Sequence, residues 1–549
     1  MDTQRLILFI IFAFSLLMLY EAWQREHRPA PPPASQQAPP PGVPTPSAPA
    51  PAAPPTRPPP TANGVPTTEV AAPSREPIRV VTDYLQAEID PVGGNIVRLE
   101  LLRYRDSFDA AKHYVLLGPD HKYSVQSGLI GEGLPNHKTV FTSQASSYQL
   151  DGQDTLEVKL EAVTPEGVRV VKTFTFKRSS YVINIAQTIT NGTREPITAH
   201  AYFQLTRDGR PPADDKAMVQ TYTGLAVYTE QDKFVKVSFA DVDKGKTPYS
   251  KTADDGWIAV AQHYFVAALL PPEKTPREYY TRRLAENLYS AGVIIPMGSI
   301  APGATGKAAV NLYAGPEEQD NLKAVAPGLE LVVDYGWLTV IAAPLFWVLE
   351  LFHKWLGNWG LAIIALTVVI KLIFFPLSAA SYKSMARMKH VTPRMMKIRE
   401  QYGDDRVKMN QAMMELYKQE KINPLGGCLP IVVQIPVFIA LYWVLLASVE
   451  LRQAPFFGWI RDLSSPDPYY ILPALMMASM IVQTKMSPTP PDPVQAKVMM
   501  IMPFAFGVMF FFFPAGLVLY WLVNNILSIA QQWQITRMIE GGKPAAAKR

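Results

Sequence analysis

One lysine lies within a long apolar stretch of the sequence. Residues 361–377 read LAIIALTVVIKLIFFPL, and Lys371 is the only charged residue among them. A charge inside a membrane-length apolar run costs roughly 2.5–3.5 kcal/mol on insertion scales, so its presence points to a function. On a helix, Thr367 and Lys371 are four residues apart and lie on one face. Alternatively, Lys371 is close enough to the end of the run, roughly 6 Å of helix rise, to extend its ammonium group to the membrane surface.

Amide side chains interrupt two later apolar runs. Gln434 lies within residues 429–448, and Asn524 and Asn525 lie within residues 514–533. Polar groups in membrane spans usually face the interior of a helix bundle or a water-filled cavity. These amides and the lysine could therefore line one hydrated cavity. The alternative is that the asparagines only form hydrogen bonds between helices.

Motifs of catalysis, nucleotide binding and metal binding are missing or incomplete. The GKT at 245–247 resembles part of a phosphate-binding loop, but that motif needs a glycine where this sequence has Ala240. His263 and His353 have no second ligand at metal spacing, and the single cysteine, Cys428, cannot form an internal disulfide. We therefore expect no enzyme activity, no cofactor and no metal.

The bulk composition argues against one further class of protein. The chain has 549 residues, of which 48% are hydrophobic, and a formal charge of +5. That charge is small and dispersed, so we expect no recognition of nucleic acid. The apolar runs cluster at the N-terminus and after residue 336, and the part between them is more polar.

The N-terminal 77 residues predict a membrane anchor followed by a spacer. Residues 6–20 are apolar, and EAWQREH follows them where a cleavage site would need small residues. We therefore predict an uncleaved transmembrane signal anchor at residues 1–23. Residues 29–77 hold 19 prolines in 49 positions. This composition cannot form a core, so residues 24–77 are predicted to be an extended linker.

Residues 78–330 are predicted to form one β domain. Runs such as DTLEVKLEAV and GVRVVKTFTFKR alternate apolar and polar residues, and turn-forming residues separate them. Strands spaced regularly over about 250 residues predict one large antiparallel β-sandwich.

The remainder of the chain is predicted to be helical and membrane-bound. Tryptophans spread along residues 334–358, together with Pro344, Glu350 and Lys354, favour an amphipathic helix at the membrane surface. Apolar runs then predict five transmembrane spans, at residues 359–376, 429–448, 470–483, 498–513 and 514–533. Several are shorter than the roughly 20 residues that a bilayer requires, so local thinning of the membrane is expected.

Two basic segments set the predicted orientation. Residues 377–425 carry ten Lys or Arg, and residues 534–549 form a basic tail. The positive-inside rule places both in the cytoplasm. Six spans in total then place the N-terminus in the cytoplasm too, and the β domain on the opposite side of the membrane. A seventh span at residues 337–352 would make the number of spans odd and would break this arrangement, because the two termini would then lie on opposite sides of the membrane.

The basic segment at residues 377–425 is predicted to be a hairpin of two helices, and Asp404 is the expected N-cap of the second. Methionines populate both helices. They either pack the two helices together or form an adaptable apolar surface for varied binding partners.

Several long motifs carry a family resemblance. They include VTDYLQAEIDPVGGNIVRLEL, SYKSMARMK, NPLGGCLP, LSSPDPYYILP and GLVLYWLVNN. Together they resemble the YidC membrane-protein insertase family in its Gram-negative form, over about residues 78–540. The resemblance implies a multi-domain membrane protein. Its periplasmic part is an all-β, mutarotase-like supersandwich, and its α-helical core has five spans in addition to the N-terminal one.

The resemblance also implies roles for particular residues. The core is implied to enclose a hydrophilic groove that is open to the cytoplasm and the lipid and closed toward the periplasm. The family's groove arginine falls on Lys371, which keeps the charge but lacks arginine's fork. The implied groove residues are Lys371, Thr367, Gln434 and Asn525. The implied surface along which an inserting helix slides consists of Ile435, Pro436, Phe438, Tyr520 and Trp521.

The implied activity is the insertion and chaperoned folding of proteins in the bacterial inner membrane, alone or with the Sec translocon, without nucleotide hydrolysis. The implied partners are nascent membrane proteins, the Sec translocon, transiently bound ribosomes and the lipid bilayer. A secondary transporter of a small solute is the alternative, since it too would place a charge and amides among its spans, although the sequence shows no repeated halves. An enzyme built on the sandwich would need a catalytic site, and residues 78–330 offer none.

Overall fold

The computed structural model describes residues 76–213, 221–402, 405–420, 429–487 and 493–541. The predicted signal anchor at residues 1–23 lies outside the described residues, as do nearly all of the predicted linker and the last eight residues of the basic tail.

The first half of the described chain is an all-β sandwich of two sheets. Its strands are β1 (Ile78–Val81), β2 (Leu85–Asp90), β3 (Asn95–Arg105), β4 (His113–Leu117), β5 (Ser124–Ile130), β6 (Thr142–Ser143), β7 (Ser147–Gln149), β8 (Thr155–Val163), β9 (Val168–Lys177), β10 (Val182–Asn191), β11 (Ile197–Asp208), β12 (Gly224–Thr229), β13 (Lys233–Val237), β14 (Thr252–Ala253), β15 (Trp257–Gln262), β16 (Phe265–Leu270), β17 (Arg277–Ala285), β18 (Leu288–Ile300) and β19 (Thr305–Pro316). One sheet has the order β14-β17-β18-β11-β5-β3-β2-β1-β7, with β4 paired to β3, and the other has the order β13-β12-β15-β16-β19-β10-β9-β8-β6. The predicted antiparallel sandwich is confirmed, apart from the parallel pairing of β1 with β7.

In strand β9, every second residue points into the core, and one of these inward residues is a lysine. Its inward, buried positions are Val168, Val170, Lys172, Phe174 and Phe176. Lys172 crosses to the other sheet, where its Nζ donates to Gly93 O and to Ser127 O, each at 2.5 Å. Burial lowers the pKa of Lys172 to about 7.

The rest of the described chain is helical. The helices are α1 (Phe239–Asp243), a short insertion in the sandwich, then α2 (Gln319–Val325), α3 (Thr339–Leu356), α4 (Trp359–Ile373), α5 (Phe375–Tyr402), α6 (Arg406–Gln419), α7 (Leu429–Ala447), α8 (Ile471–Met486), α9 (Pro493–Phe510) and α10 (Ala515–Gly541). Helix α3 is by itself long and apolar enough to cross a membrane. Helix α4 passes the same test only when joined to Phe375–Met385, across a bend of 66°. The apolar parts of α7, α8 and α9 are shorter, so the placement of α3 at the membrane surface and the number of spans stay predictions.

Several helix ends differ from the predicted segments, because helices do not end where apolar runs end. Helix α4 stops at Ile373, and α5 begins at Phe375, inside the predicted span. Helix α9 begins five residues before the predicted span, at Pro493, since proline is tolerated in a first helical turn. Helix α10 continues to Gly541, through the first half of the predicted tail.

Helices α5 and α6 form the predicted hairpin. Asp404 lies outside the described residues, and the N-cap of α6 is its neighbour Asp405, which accepts hydrogen bonds from the backbone N–H groups of the first turn. Met395 is buried between the two helices. Met396 and Met414 are more than half exposed. Met395 therefore packs the two helices together, whereas Met396 and Met414 form part of an exposed apolar surface.

The loop after α7 attaches the helical bundle to the sandwich. The Arg452 guanidinium donates to Arg105 O and to Ser107 Oγ, both at 2.9 Å, and lies over the rings of Tyr114 and Phe265. At the end of α7 itself, Leu446 O lies 3.0 Å from His263 Nε2 of the sandwich. The C-terminal end of α7 therefore faces the sandwich, which fixes the direction of the helices around it.

Candidate functional site: a polar cavity among the helices

A cavity of about 420 Å³ lies among six of the helices. Helix α4 contributes Lys371, and five other helices, α5 and α7–α10, complete its wall. The polar lining residues other than Lys371 are Ser378, Ser381, Tyr382, Gln434, Gln483, Thr484, Ser487, Tyr520, Asn524, Asn525, Ser528 and Gln532. The structure therefore brings residues that are distant in sequence together around one cavity.

The cavity occupies the half of the bundle that lies away from the sandwich. Lys371 is near the far end of α4, Gln434 is near the hairpin end of α7, and Ser487 directly follows α8. The half next to the sandwich is filled by buried apolar side chains, namely Leu441, Val444, Leu445, Leu472, Met476, Phe510, Leu517 and Val518. In the described part of the chain, these apolar side chains lie between the cavity and the sandwich.

Lys371 faces across the bundle. Its side chain is 7% exposed, and its Nζ donates to Ser528 Oγ on α10 at 2.7 Å. The Ser528 hydroxyl in turn donates to Asn524 O at 2.7 Å. No carboxylate among the described residues forms an ion pair with Lys371. A buried charge without a counter-ion is costly, so this position favours a hydrated cavity over extension to the membrane surface.

The predicted amides line the cavity and also join helices. Gln434 Nε2 on α7 donates to Asn524 Oδ1 on α10 at 2.9 Å. Asn525 Nδ2 donates to Ser479 Oγ on α8 at 3.2 Å. The two interpretations of these residues, cavity lining and hydrogen bonding between helices, thus describe the same side chains.

An aromatic cluster borders the polar wall. Phe438 of α7 packs edge-on against Trp521 of α10, with 4.6 Å between ring centroids, and stacks on Tyr520 at 6.3 Å. Ile435 is 47% exposed beside them. These four predicted residues line the cavity, whereas Pro436 is not among its lining residues.

Thr367 is the predicted groove residue that the structure does not bring to the cavity. It is fully buried, and its Oγ1 donates to Ile363 O of its own helix at 2.6 Å. Its hydroxyl is therefore already paired within α4, away from the lining residues.

The polar face of α10 was only partly anticipated from the sequence. Ser528 and Gln532 follow Asn524 at intervals of four residues, which places all three on one helical face. That spacing is the signal that could have identified Ser528 and Gln532. The serines of α5 carried no comparable signal, because they lie outside the apolar run that predicted a span.

The chain matches two family models that together cover most of its length. Residues 77–348 match the model described as the YidC periplasmic domain, and residues 351–543 match that of the 60Kd inner membrane protein. The sandwich is thus the periplasmic domain, and the helical part carries the inner-membrane domain that contains the cavity.

Individual proteins show the same relationship. The chain is 57% identical over 549 residues to the membrane protein insertase YidC of Dechloromonas aromatica, covering 100% of this chain and 99% of the relative. It is similar, at 18% identity and a TM-score of 0.41, to a crystal structure of an active YidC insertase, covering 84% of this chain and 92% of that one. A galactose mutarotase related enzyme from Lactobacillus acidophilus is similar to 43% of this chain and 97% of its own, at 8% identity and a TM-score of 0.29. The family models and the full-length relative agree, and the chain belongs to the YidC family of membrane protein insertases.

Proposed function

We propose that the cavity receives the polar tail of a protein that is being inserted into the membrane, here called the client. The observation that carries this proposal is the ammonium group of Lys371, which lines a cavity of about 420 Å³ and has no carboxylate partner within the described residues. Such a group attracts acidic and polar tails. The family role as a membrane protein insertase supplies the substrate class, nascent membrane proteins.

The cavity would act by lowering a desolvation barrier. A charged residue at the centre of an intact apolar layer costs about 2.5–3.5 kcal/mol on insertion scales. A polar cavity that reaches part of the way shortens this unfavourable path. Helix α4 has 15 residues, or about 22 Å of helix, against a hydrocarbon core of roughly 30 Å. The membrane around it is therefore expected to be thin, which shortens the path further.

The free energy for crossing would come from the client and the membrane. Transfer of the client's apolar span into lipid is favourable, and the membrane potential contributes about 2.3 kcal/mol per charge per 100 mV on a negative tail. Neither source requires nucleotide hydrolysis or a covalent step. The apolar helix of the client would be guided toward the lipid by the aromatic cluster and its neighbour, namely Phe438, Tyr520, Trp521 and Ile435.

The orientation and the partners belong to the same proposal. Ten Lys or Arg in residues 377–425 support a cytoplasmic hairpin, with both termini in the cytoplasm. The exposed Met396 and Met414 of the hairpin would offer clients an adaptable first contact and a chaperone surface. The Sec translocon and transiently bound ribosomes are proposed as partners on the family resemblance.

Insertion by the purified protein tests this proposal. Full-length protein in liposomes without the Sec translocon is given a single-span client with an acidic N-terminal tail, and protection of the tail from external protease is measured. We expect protection with wild type, a clear loss in Lys371→Gln and retention in Lys371→Arg. Lys485→Gln is the matched control, because Lys485 is an exposed lysine in the last turn of α8 that does not line the cavity.

Two results would contradict the proposal. Equal protection in wild type and Lys371→Gln would remove the lysine from the mechanism. Equal loss in Lys371→Gln and Lys485→Gln would mean that any positive charge at this end of the bundle suffices, without a role for the cavity.

A further inference from the structure

A chain of hydrogen bonds joins three walls of the cavity. Lys371 Nζ on α4 donates to Ser528 Oγ on α10 at 2.7 Å, and Ser528 Oγ donates to the backbone oxygen of Asn524 at 2.7 Å. The side chain of the same asparagine accepts from Gln434 Nε2 on α7 at 2.9 Å. Ser528 is therefore the link between the charged residue and the rest of the polar wall.

The bond to Asn524 fixes which way the serine hydroxyl points. A serine hydroxyl has one proton, and here that proton is directed to the backbone carbonyl. A lone pair of Ser528 Oγ consequently faces Lys371 and can only accept. An ammonium group has three N–H donors. Among the described residues Ser528 holds one of them, which leaves two for an anionic group in the cavity.

Lysine needs such an anchor more than arginine does. Its ammonium is a point charge on a flexible four-carbon stem, whereas arginine presents a rigid fork that can bridge two acceptors by itself. An unanchored lysine side chain in a cavity of this size would sample several positions. Binding of a tail would then fix the side chain, and the lost conformational entropy would weaken binding. With Ser528 present, the ammonium is already placed on the α10 wall.

We propose that Ser528 is a positioning residue for Lys371 and thereby sets the preference of the cavity for client tails that carry carboxylates. This inference rests on the proposed function and deepens it. A role in placing the ammonium group makes the effect of Ser528 depend on the charge of the tail and on the presence of the lysine.

The experiment compares two clients that differ only in the charge of the tail. One tail carries Asp and Glu, and the other carries Asn and Gln at the same positions. Protease protection of both tails is measured in liposomes for wild type, Ser528→Ala, Ser528→Thr, Lys371→Gln and the double variant Ser528→Ala/Lys371→Gln. Ser448→Ala is the matched control, since Ser448 is also a buried serine whose hydroxyl donates to a carbonyl one turn back, at 2.6 Å, but it lies at the sandwich end of α7.

We expect Ser528→Ala to lower the ratio of acidic to neutral insertion by about 3- to 10-fold, the net effect of losing one ordinary hydrogen bond that positions the lysine. Ser528→Thr keeps a hydroxyl and should restore the ratio to within about twofold of wild type. The double variant should show the ratio of Lys371→Gln, and Ser448→Ala the ratio of wild type. If Ser528→Ala does not fold, Ser528→Cys replaces it, because a thiol keeps the shape but accepts hydrogen bonds weakly.

The outcomes separate this inference from the proposed function. If wild type protects neither tail, the proposed function fails, and the inference fails with it. If wild type prefers acidic tails and Ser528→Ala has the same ratio, the positioning role is overturned while the proposed function stands. An equal loss for both tails in Ser528→Ala, or an effect that adds to that of Lys371→Gln, would likewise overturn it by assigning Ser528 a structural or independent role.

Discussion

Replacing Glu450 by glutamine should remove a pH dependence from the contact between the sandwich and the helical bundle. Glu450 follows α7, outside the predicted span, and its Oε2 is buried with no hydrogen-bond partner in the described part of the chain. Burial is the largest cause that raises its pKa from 4.5 to about 8, and the carboxylates of Glu318 and Glu350 add to it. A hydrogen bond from the Gln319 backbone acts in the opposite direction.

The pKa shift sets the sign and size of the effect. The folded protein keeps the proton up to about pH 8, whereas the unfolded chain releases it near pH 4.5. The contribution to stability is therefore fully present below pH 4.5 and is lost as the pH rises through 8. Each pH unit in that window costs up to about 1.4 kcal/mol, which amounts to as much as about 5 kcal/mol across it.

Hydrogen exchange of the full-length protein in detergent, corrected for intrinsic rates, measures this effect at residues 317–319 and 449–451. Protection in wild type should fall between pH 5 and pH 8. In Glu450→Gln it should fall less and exceed wild type at pH 8, and the remaining fall comes from Glu317, whose pKa burial also raises. Glu157→Gln is the control, because that carboxylate is exposed, is ion-paired with Lys159 at 2.9 Å and is not among the groups that shift the pKa of Glu450. The same loss of protection with pH in wild type and Glu450→Gln would show that Glu450 does not cause the pH dependence.

Two further predictions address a buried lysine and a buried threonine. Burial lowers the pKa of Lys172 from 10.5 to about 7, so between pH 7 and pH 10 only the unfolded chain holds this proton. The free energy of unfolding of the sandwich should therefore rise with pH in this range, by up to about 1.4 kcal/mol per pH unit. Lys172→Met should lose that rise in thermal unfolding of the full-length protein, and identical pH slopes would contradict the assignment. Because the Thr367 hydroxyl is paired with Ile363 O inside α4, Thr367→Val should lower the insertion of acidic tails less than about twofold. A loss as large as that of Lys371→Gln would show that Thr367 contacts the tail.

The strands were predictable where burial leaves a two-residue period in the sequence. Strand β9 is an example, since its inward residues alternate with exposed or partly exposed ones. The same pattern does not reveal what an inward Lys172 binds. Its acceptors, Gly93 and Ser127, lie 79 and 45 residues away in the chain, and only the pairing of the two sheets brings them together.

The site was predictable where a polar residue interrupts an apolar run. Lys371, Gln434 and Asn525 were identified in that way and line one cavity. Thr367 was included because it shares a helical face with Lys371, but a threonine hydroxyl can turn back to the carbonyl four residues earlier, and here it does. Ser528 was not identified, although it follows Asn524 by four residues. Its contact with Lys371 joins α4 and α10, and no local pattern predicts that contact.

Site-specific crosslinking of a client tail tests most directly whether the tail passes through the cavity. In a Cys428→Ser background, a cysteine replaces either Gln483, which lines the cavity, or its neighbour Val482, which is 47% exposed and is not a lining residue. A client with one cysteine in its acidic tail is then inserted in liposomes, and disulfide formation is followed during insertion. Passage of the tail through the cavity predicts a disulfide with the cysteine at 483 and little with the cysteine at 482. Efficient insertion with a disulfide at 482 and none at 483 would contradict it, because the tail would then cross outside the cavity.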